Sequence, residues 1–410
     1  MRSVVVVGAG QAGATAALEL RRAGFDGEVA LLGEEPHLPY ERPQLSKDLL
    51  RRDAPQIKSL RDARAYDEAG VKLRLDSRVA RVDAANRCVE LDDGDRLPFD
   101  RLLIASGVRP RRLPQLDGDP RVCYLRRFED AARLRAELDS ASSIVIVGGG
   151  VIGLEVASEA ASRGIRVTVV ESAERLMARS VDPILSAFLD RRHRMSGVEF
   201  RYAVQPRGWT LDGRLELSDG TSLAADVVLV GIGVLPNVEP FAELNIADAF
   251  GVRVDEFGRT AIDSIYATGD VASQPSVRGF SRIETWANAQ DHAIATARNL
   301  IGEAKAYSSP TWFWSDQGKT NLQILGDARG GEPVARGDAN GSAFSLFWLD
   351  RDGRIAAAAS VNSPKDMAMA RRWLGQRVEL DPQRLANPSV PLRDCLAASK
   401  DGNEYRRNMA

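Results

Sequence analysis

One motif recurs in this chain, and its recurrence leaves few folds open. Val4–Val7 is a β-branched run that ends in Gly8-Ala9-Gly10-Gln11-Ala12-Gly13, and Ile144–Val147 ends in Gly148-Gly149-Gly150-Val151-Ile152-Gly153, 140 positions later. A run that is apolar at every position suits a parallel strand covered on both faces. Each glycine has a mechanical reason to be there. The first makes a tight turn, the second lets the backbone approach a pyrophosphate, and the third lets helix pack on strand. A helix is expected over Ala14–Arg22, stopped by Gly24, then a strand over Glu28–Leu32 that closes on Gly33-Glu34. In the second copy the helix is expected over Leu154–Ser162 and the strand over Arg166–Val170, ending at Glu171. Both are complete strand–helix–strand units with phosphates expected on a helix N-terminus. Glu34 and Glu171 stand where a carboxylate accepts hydrogen bonds from ribose hydroxyls.

Two dinucleotide sites imply a division of labour, in which one cofactor stays bound as a redox centre and the other enters and leaves. FAD at the first turn and NADH at the second fit that division. At the second site Glu171 would repel the 2′-phosphate of NADPH. A later segment, Thr260–Asp270, reads as a strand and a short turn that brings Asp270 near the first unit.

The rest of the composition narrows the field. At 410 residues the chain exceeds one ordinary domain of about 100 to 200 residues, so two or three are expected. With 44% hydrophobic and 27% charged residues it has the profile of a soluble globular protein. A net charge of -2 provides no global field for nucleic acid or an anionic membrane. Cys88, Cys123 and Cys395 form no CxxC, and His37, His193 and His292 are dispersed, so neither a disulfide framework nor a metal site is implied. That usage fits a reducing cytoplasm. Val4–Val7 follows directly on Met1-Arg2-Ser3, unlike a signal peptide, and the apolar windows Ile144–Leu154 and Val227–Val234 are glycine-broken and too short to span a bilayer.

The residues resemble a known family, the ferredoxin reductases of bacterial oxygenase systems, among the glutathione-reductase-like flavoproteins. The resemblance covers essentially the whole chain. Beyond the two glycine turns it rests on Leu38-Pro39-Tyr40-Glu41-Arg42-Pro43-Gln44-Leu45-Ser46-Lys47, Tyr124-Leu125-Arg126, Arg282-Ile283-Glu284-Thr285-Trp286 and Trp312-Phe313-Trp314-Ser315-Asp316-Gln317. It implies an α/β fold with two Rossmann-like dinucleotide-binding domains and a C-terminal α+β domain. By the same resemblance Gly8, Gly10, Ala12, Gly13, Glu34, Arg42, Lys47, Val79, Arg126, Asp270 and Trp286 match FAD-contacting positions. Gly148, Gly150, Ile152, Gly153, Glu155, Glu171, Arg179 and Gly231 match NADH-contacting ones, and Trp314 is the tryptophan favoured to flank the nicotinamide. Two departures are mild: Gln44 replaces a customary proline, and Ser106 stands where threonine is common.

Disulfide- and peroxide-reducing relatives carry a redox cysteine soon after the first unit, where this chain has Leu38–Lys47. Electrons are therefore expected to leave for an external acceptor, which the resemblance implies is a small acidic [2Fe-2S] ferredoxin. The Gln317–Arg329 stretch most resembles reductases of aromatic-ring dioxygenases, which implies a dioxygenase system, with a cytochrome P450 system as the alternative. A flavin NADH oxidase and a non-enzymatic redox-sensing scaffold are the rivals from other classes. Lys47 is expected to pair with Glu155 on the first turn of the second helix, and the N–H groups of a helix over Ala287–Leu300 to face negative charge on a reduced flavin. The arginine groups Arg51-Arg52, Arg109 with Arg111-Arg112, and Arg371-Arg372 are candidate docking charges. The expected division is 1–109 with 234–310 for FAD, 110–233 for NADH, and 311–410 as the C-terminal domain, in a monomer or weak homodimer.

Overall fold

The computed structural model describes residues 1–53, 56–276, 279–328 and 331–397. Its first sheet is parallel, in the order Ile265–Ala267, Arg101–Ile104, Ser3–Val7, Glu28–Leu32, Val71–Arg74. The β-branched first strand is buried on both sides because its residues alternate between two cores. Val4 and Val6 pack with Leu103 and Leu31 beneath the helices Gln11–Arg22 and Trp286–Leu300, which lie against each other. Val5 and Val7 pack with Leu102 and Ile104 against residues of Val79–Asp83 and Cys88–Leu91.

The second sheet is also parallel, in the order Glu199–Tyr202, Arg166–Glu171, Ser143–Val147, Val227–Val230, Val122–Cys123. It repeats the alternation, with Ile144 and Ile146 in one core and Val145 and Val147 in another. The chain leaves the first sheet along Val108–Pro110 and returns along Val234–Pro236, and these two strands pair antiparallel, Pro110 opposite Val234.

A third, antiparallel sheet follows, in the order Trp312–Gln317, Thr320–Leu325, Ile355–Val361, Phe344–Leu349, Val334–Gly337. It contains the antiparallel hairpin Phe344–Leu349 with Ile355–Val361. Helix Pro364–Gln376 closes it through the fully buried Trp373.

Both fingerprint helices begin three residues earlier than the sequence reading places them, at Gln11 and Val151, and this puts Glu155 in the second turn rather than the first. The reason is local. Gly10 and Gly150 are the N-caps, with extended backbone, so the last three residues of each glycine motif are already helical. The helix after the Thr285 cap likewise starts at Trp286, one residue before the expected Ala287.

Candidate functional site

The loops at the carboxyl ends of the first two parallel sheets enclose one cleft of about 1730 Å³. Ligands of open parallel sheets bind at those strand ends. At the first turn Gly8 has φ +107° and at the second Gly148 has φ +110°, a region that L side chains rarely adopt. A Cβ on Gly13 would collide with the Gly8 carbonyl, and one on Gly153 with the Gly148 carbonyl, so these two glycines are what let each helix sit on its strand. A Cβ on Gly10 or Gly150 would meet nothing within 4 Å, and both residues line the cleft. Neither helix N-terminus carries a side-chain cap. Two open cradles of uncapped N–H groups fit two pyrophosphates.

Around the first turn, Ala12, Glu34, Arg42, Lys47, Val79, Arg126, Asp270 and Trp286 all line the cleft with Gly8 and Gly10, while Gly13 lies behind the turn. Their charges are organised in pairs. Arg42 donates to Glu35 Oε1 and to the Arg126 carbonyl, both at 2.6 Å, and Tyr40 donates to Glu35 Oε2 at 2.6 Å. Arg126 Nη2 lies 3.3 Å from Asp270, and its Nε donates to the Val108 carbonyl. Burial pushes the Glu35 carboxyl up, yet Arg42 and the Tyr40 hydroxyl hold it below its ordinary value. Burial, with Arg42 nearby, draws Arg126 down. Glu34 is half-exposed and pairs with Arg127 at 2.8 Å. Sequence reasoning missed Glu35, because Glu34 next to it already occupies the strand-end position and only the folded loop reveals Arg42 as the partner of Glu35.

Around the second turn, Gly150, Ile152, Glu155, Arg179, Gly231 and Trp314 line the cleft. Gly148 and Gly153 shape the turn from behind, and Gly148 packs on the Gly231 carbonyl. Glu171 does not line the cleft; its carboxylate accepts from the Gly149 amide at 2.7 Å and the Ala173 amide at 2.8 Å.

The two halves meet at Lys47 and Glu155. The Lys47 ammonium lies 2.7 Å from Glu155 Oε2, and the Glu155 side chain is 1% exposed. Ser46 Oγ also donates to Oε2, and Ser315 Oγ donates to Oε1 at 2.7 Å. Taking a carboxylate out of water costs several kcal/mol, whereas a hydrogen bond to a charged group returns about 1.5–3 kcal/mol. Burial therefore raises the Glu155 carboxyl while Lys47, Ser46 and Ser315 oppose it, and burial wins. The two serines also escaped the sequence reading as site residues, since nothing in their spacing marks them. Trp286 meets Trp314 edge-on at 5.7 Å, Trp314 stacks on Trp312 at 5.2 Å, and the Arg371 guanidinium lies over Trp312 at 4.7 Å. Arg329, at the end of the Gln317–Arg329 stretch, lies outside the described residues.

The family model described as pyridine nucleotide-disulphide oxidoreductase matches residues 2–293. The chain belongs to that family. A second model, reductase C-terminal, matches residues 312–396 of this pyridine nucleotide-disulphide oxidoreductase. It is 57% identical over 393 residues to the ferredoxin--NAD(+) reductase component of the p-cumate 2,3-dioxygenase system of Pseudomonas putida, across 96% of this chain and 98% of the relative. Among solved structures it resembles the ferredoxin reductase for the CYP199A2 system from Rhodopseudomonas palustris, with a TM-score of 0.91, 35% identity and coverage of 97% and 100%. It also resembles putidaredoxin reductase in its covalent complex with putidaredoxin, with a TM-score of 0.91, 34% identity and coverage of 98% and 99%. These likenesses agree with the α/β architecture read from the sequence, two parallel nucleotide-type sheets followed by an antiparallel C-terminal module. Although the family name includes a disulphide, Cys88, Cys123 and Cys395 are free and none lines the cleft. No helix among the described residues is long and apolar enough to cross a membrane.

Proposed function

We propose that this chain is a FAD-dependent NADH:ferredoxin reductase that serves an aromatic-ring dioxygenase through a [2Fe-2S] ferredoxin. The observation that carries the reading is 57% identity along 96% of the chain to a reductase component of a dioxygenase system. That identity exceeds the 35% and 34% shared with the two solved reductases, one of which is the reductase for the CYP199A2 system, so the P450 alternative is the weaker one. FAD bound at the first turn would take an electron pair from NADH at the second and release it one electron at a time.

In this reading the Gly8–Gly13 turn holds the FAD pyrophosphate, Arg42 and Arg126 neutralise it, Glu34 accepts from the adenosine ribose, and Asp270 from the ribityl chain. Ala12 and Val79 give apolar walls. The N-terminus of Trp286–Leu300 supplies positive potential toward the flavin ring. The Gly148–Gly153 turn, Ile152, Arg179 and Gly231 hold NADH, while Glu171 braces the turn by taking the Gly149 amide and disfavours a 2′-phosphate. Trp314 would flank the nicotinamide, and the Lys47–Glu155 pair, 2.7 Å apart, would help to position the two cofactors. The free thiols lie away from the cleft, so the acceptor is external, and the thiol usage suits the cytoplasm. Arg371, stacked on Trp312, is the arginine of the expected docking groups that joins this aromatic wall, and it suits an acidic partner. The FAD unit comprises 1–109 with 234–310, the NADH unit 110–233 and the C-terminal unit 311–410, in a monomer or weak homodimer.

The test is anaerobic stopped-flow spectroscopy of the yellow protein with NADH, followed by oxygen or a [2Fe-2S] ferredoxin. Rapid bleaching, and recovery much faster with ferredoxin than with oxygen, is the expected result. Fast recovery with oxygen alone would make the chain an oxidase, and absence of bleaching would overturn both.

A further inference from the structure

The Glu155 carboxylate is held from two directions. Ser46, in the segment Arg42–Ser46, and Lys47 both reach Oε2, whereas Ser315 on strand Trp312–Gln317 reaches Oε1. A donor on each oxygen fixes the rotation of the carboxylate; donors on Oε2 alone would leave it free to turn.

Behind Ser315 the polar contacts continue. The Ser315 oxygen accepts from Gln317 Nε2 at 3.1 Å, and Gln317 Oε1 lies 2.8 Å from His193 Nε2, on helix Pro183–Met195. Glu155, Ser315, Gln317 and His193 are each no more than 4% exposed. Because Gln317 Nε2 donates to Ser315, the hydroxyl proton of Ser315 is committed to Glu155, and the Gln317 oxygen is left to accept an N–H from a neutral imidazole. Every donor in the series then points toward the carboxylate, an arrangement in which each bond polarises the next. Strand alternation explains why one strand does two jobs: Trp314 faces the cleft while Ser315, its neighbour, stands behind Glu155.

We propose that Ser315, backed by Gln317 and His193, is a positioning residue for electron transfer, locking the Glu155 carboxylate against Lys47 so that the charge beside the flavin is balanced and fixed. The proposal rests on the reading of the cleft as an FAD and NADH site. Loss of the Ser315 hydroxyl frees the carboxylate, leaves the Lys47 charge less compensated and favours the electron-rich state of a flavin beside it.

The test is a spectroelectrochemical titration of the holoenzyme and its Ser315→Ala, Ser315→Thr and Gln317→Leu variants, with anaerobic reduction by NADH in parallel. Ser315→Ala is expected to move the flavin midpoint potential to a more positive value and to slow bleaching by NADH roughly tenfold, about the effect of one charge-assisted hydrogen bond. Ser315→Thr restores the parental potential, and Gln317→Leu shifts it in the same direction by less. A purely structural role would lower thermal stability or FAD content without moving the potential of the FAD that remains. Parental potentials in both Ser315→Ala and Gln317→Leu would overturn the proposal, and Gln317→Leu alone decides it if Ser315→Ala does not fold. A parent protein that takes up no FAD, or whose FAD is not bleached by NADH, would instead remove the functional reading itself, before any variant is compared.

Discussion

Arg126 and Asp270 stand 144 residues apart in the chain and meet on the wall of the cleft, Nη2 of one 3.3 Å from the carboxylate of the other. Arg42 donates to the Arg126 carbonyl, so two guanidinium groups share this wall with Glu35 and Asp270 as their counter-charges. Asp270→Asn keeps the shape and removes one charge. It should leave the protein purifying with substoichiometric FAD and an apo form destabilised by about 2 kcal/mol, the range for a hydrogen bond to a charged group. The ratio of flavin to protein absorbance and the apo melting temperature check this.

The glycine motifs separate folding from binding. Gly13→Ala drives a methyl into the Gly8 carbonyl and should yield little soluble protein, whereas Gly10→Ala meets no atom within 4 Å and should fold with little FAD. Gly150→Ala, at the equivalent open position, should retain FAD and raise the KM for NADH at least about tenfold, as expected when a backbone can no longer approach a pyrophosphate. Flavin content and steady-state kinetics distinguish the three variants.

Acid should weaken the fold through a histidine outside the cleft. His292 is buried against Tyr307 at 4.9 Å, and burial lowers its pKa from 6.5 to about 3. Below pH 6.5 the unfolded chain takes up a proton that the folded chain refuses, so stability falls as pH drops toward 3 and is unaffected by this group above pH 6.5. The slope is at most about 1.4 kcal/mol per pH unit. His193, also lowered by burial, adds in the same direction. His292→Phe should flatten the fall in melting temperature between neutral and acid pH, and an unchanged slope would show that other groups dominate.

For the partner, Arg371→Glu should reduce kcat/KM for ferredoxin several-fold at low salt, with the gap to the parent closing as ionic strength rises, because exposed charges are screened beyond about 10 Å at 0.1 M salt. A salt-independent loss would point to packing on Trp312 instead of charge.

Much of this architecture was legible because it is written locally. Runs such as Val4–Val7 and Ile144–Val147 state their double burial in every residue, and Glu28–Leu32 is a strand with the boundaries the sequence suggests. Helix starts were misjudged because glycine reads as a breaker, while Gly10 and Gly150 here act as caps and Gly13 and Gly153 sit inside helices that press on their own turns. The Lys47–Glu155 contact could be anticipated because each residue sits in a recognisable motif. The Ser46 and Ser315 donors could not, since they reach Glu155 from a loop segment and a strand far away in the chain. Arg336 was equally silent in the sequence. It is buried in an antiparallel strand, yet its guanidinium donates to the carbonyls of Leu385, Asn387, Pro388 and Val390, all supplied by a distant segment.

The paired strands Val108–Pro110 and Val234–Pro236 change how the second sheet weighs on the first. The Arg111 amide donates to the Gly233 carbonyl at 2.9 Å, so everything between those residues is, from the viewpoint of the first sheet, a single loop with its neck already tied. The entropy of closing a loop grows only with the logarithm of its length, about 0.6 kcal/mol per doubling. An entire nucleotide-binding sheet therefore burdens its host little more than an ordinary surface loop would, and the ribbon is a natural seam along which such a unit can be inserted, exchanged or removed.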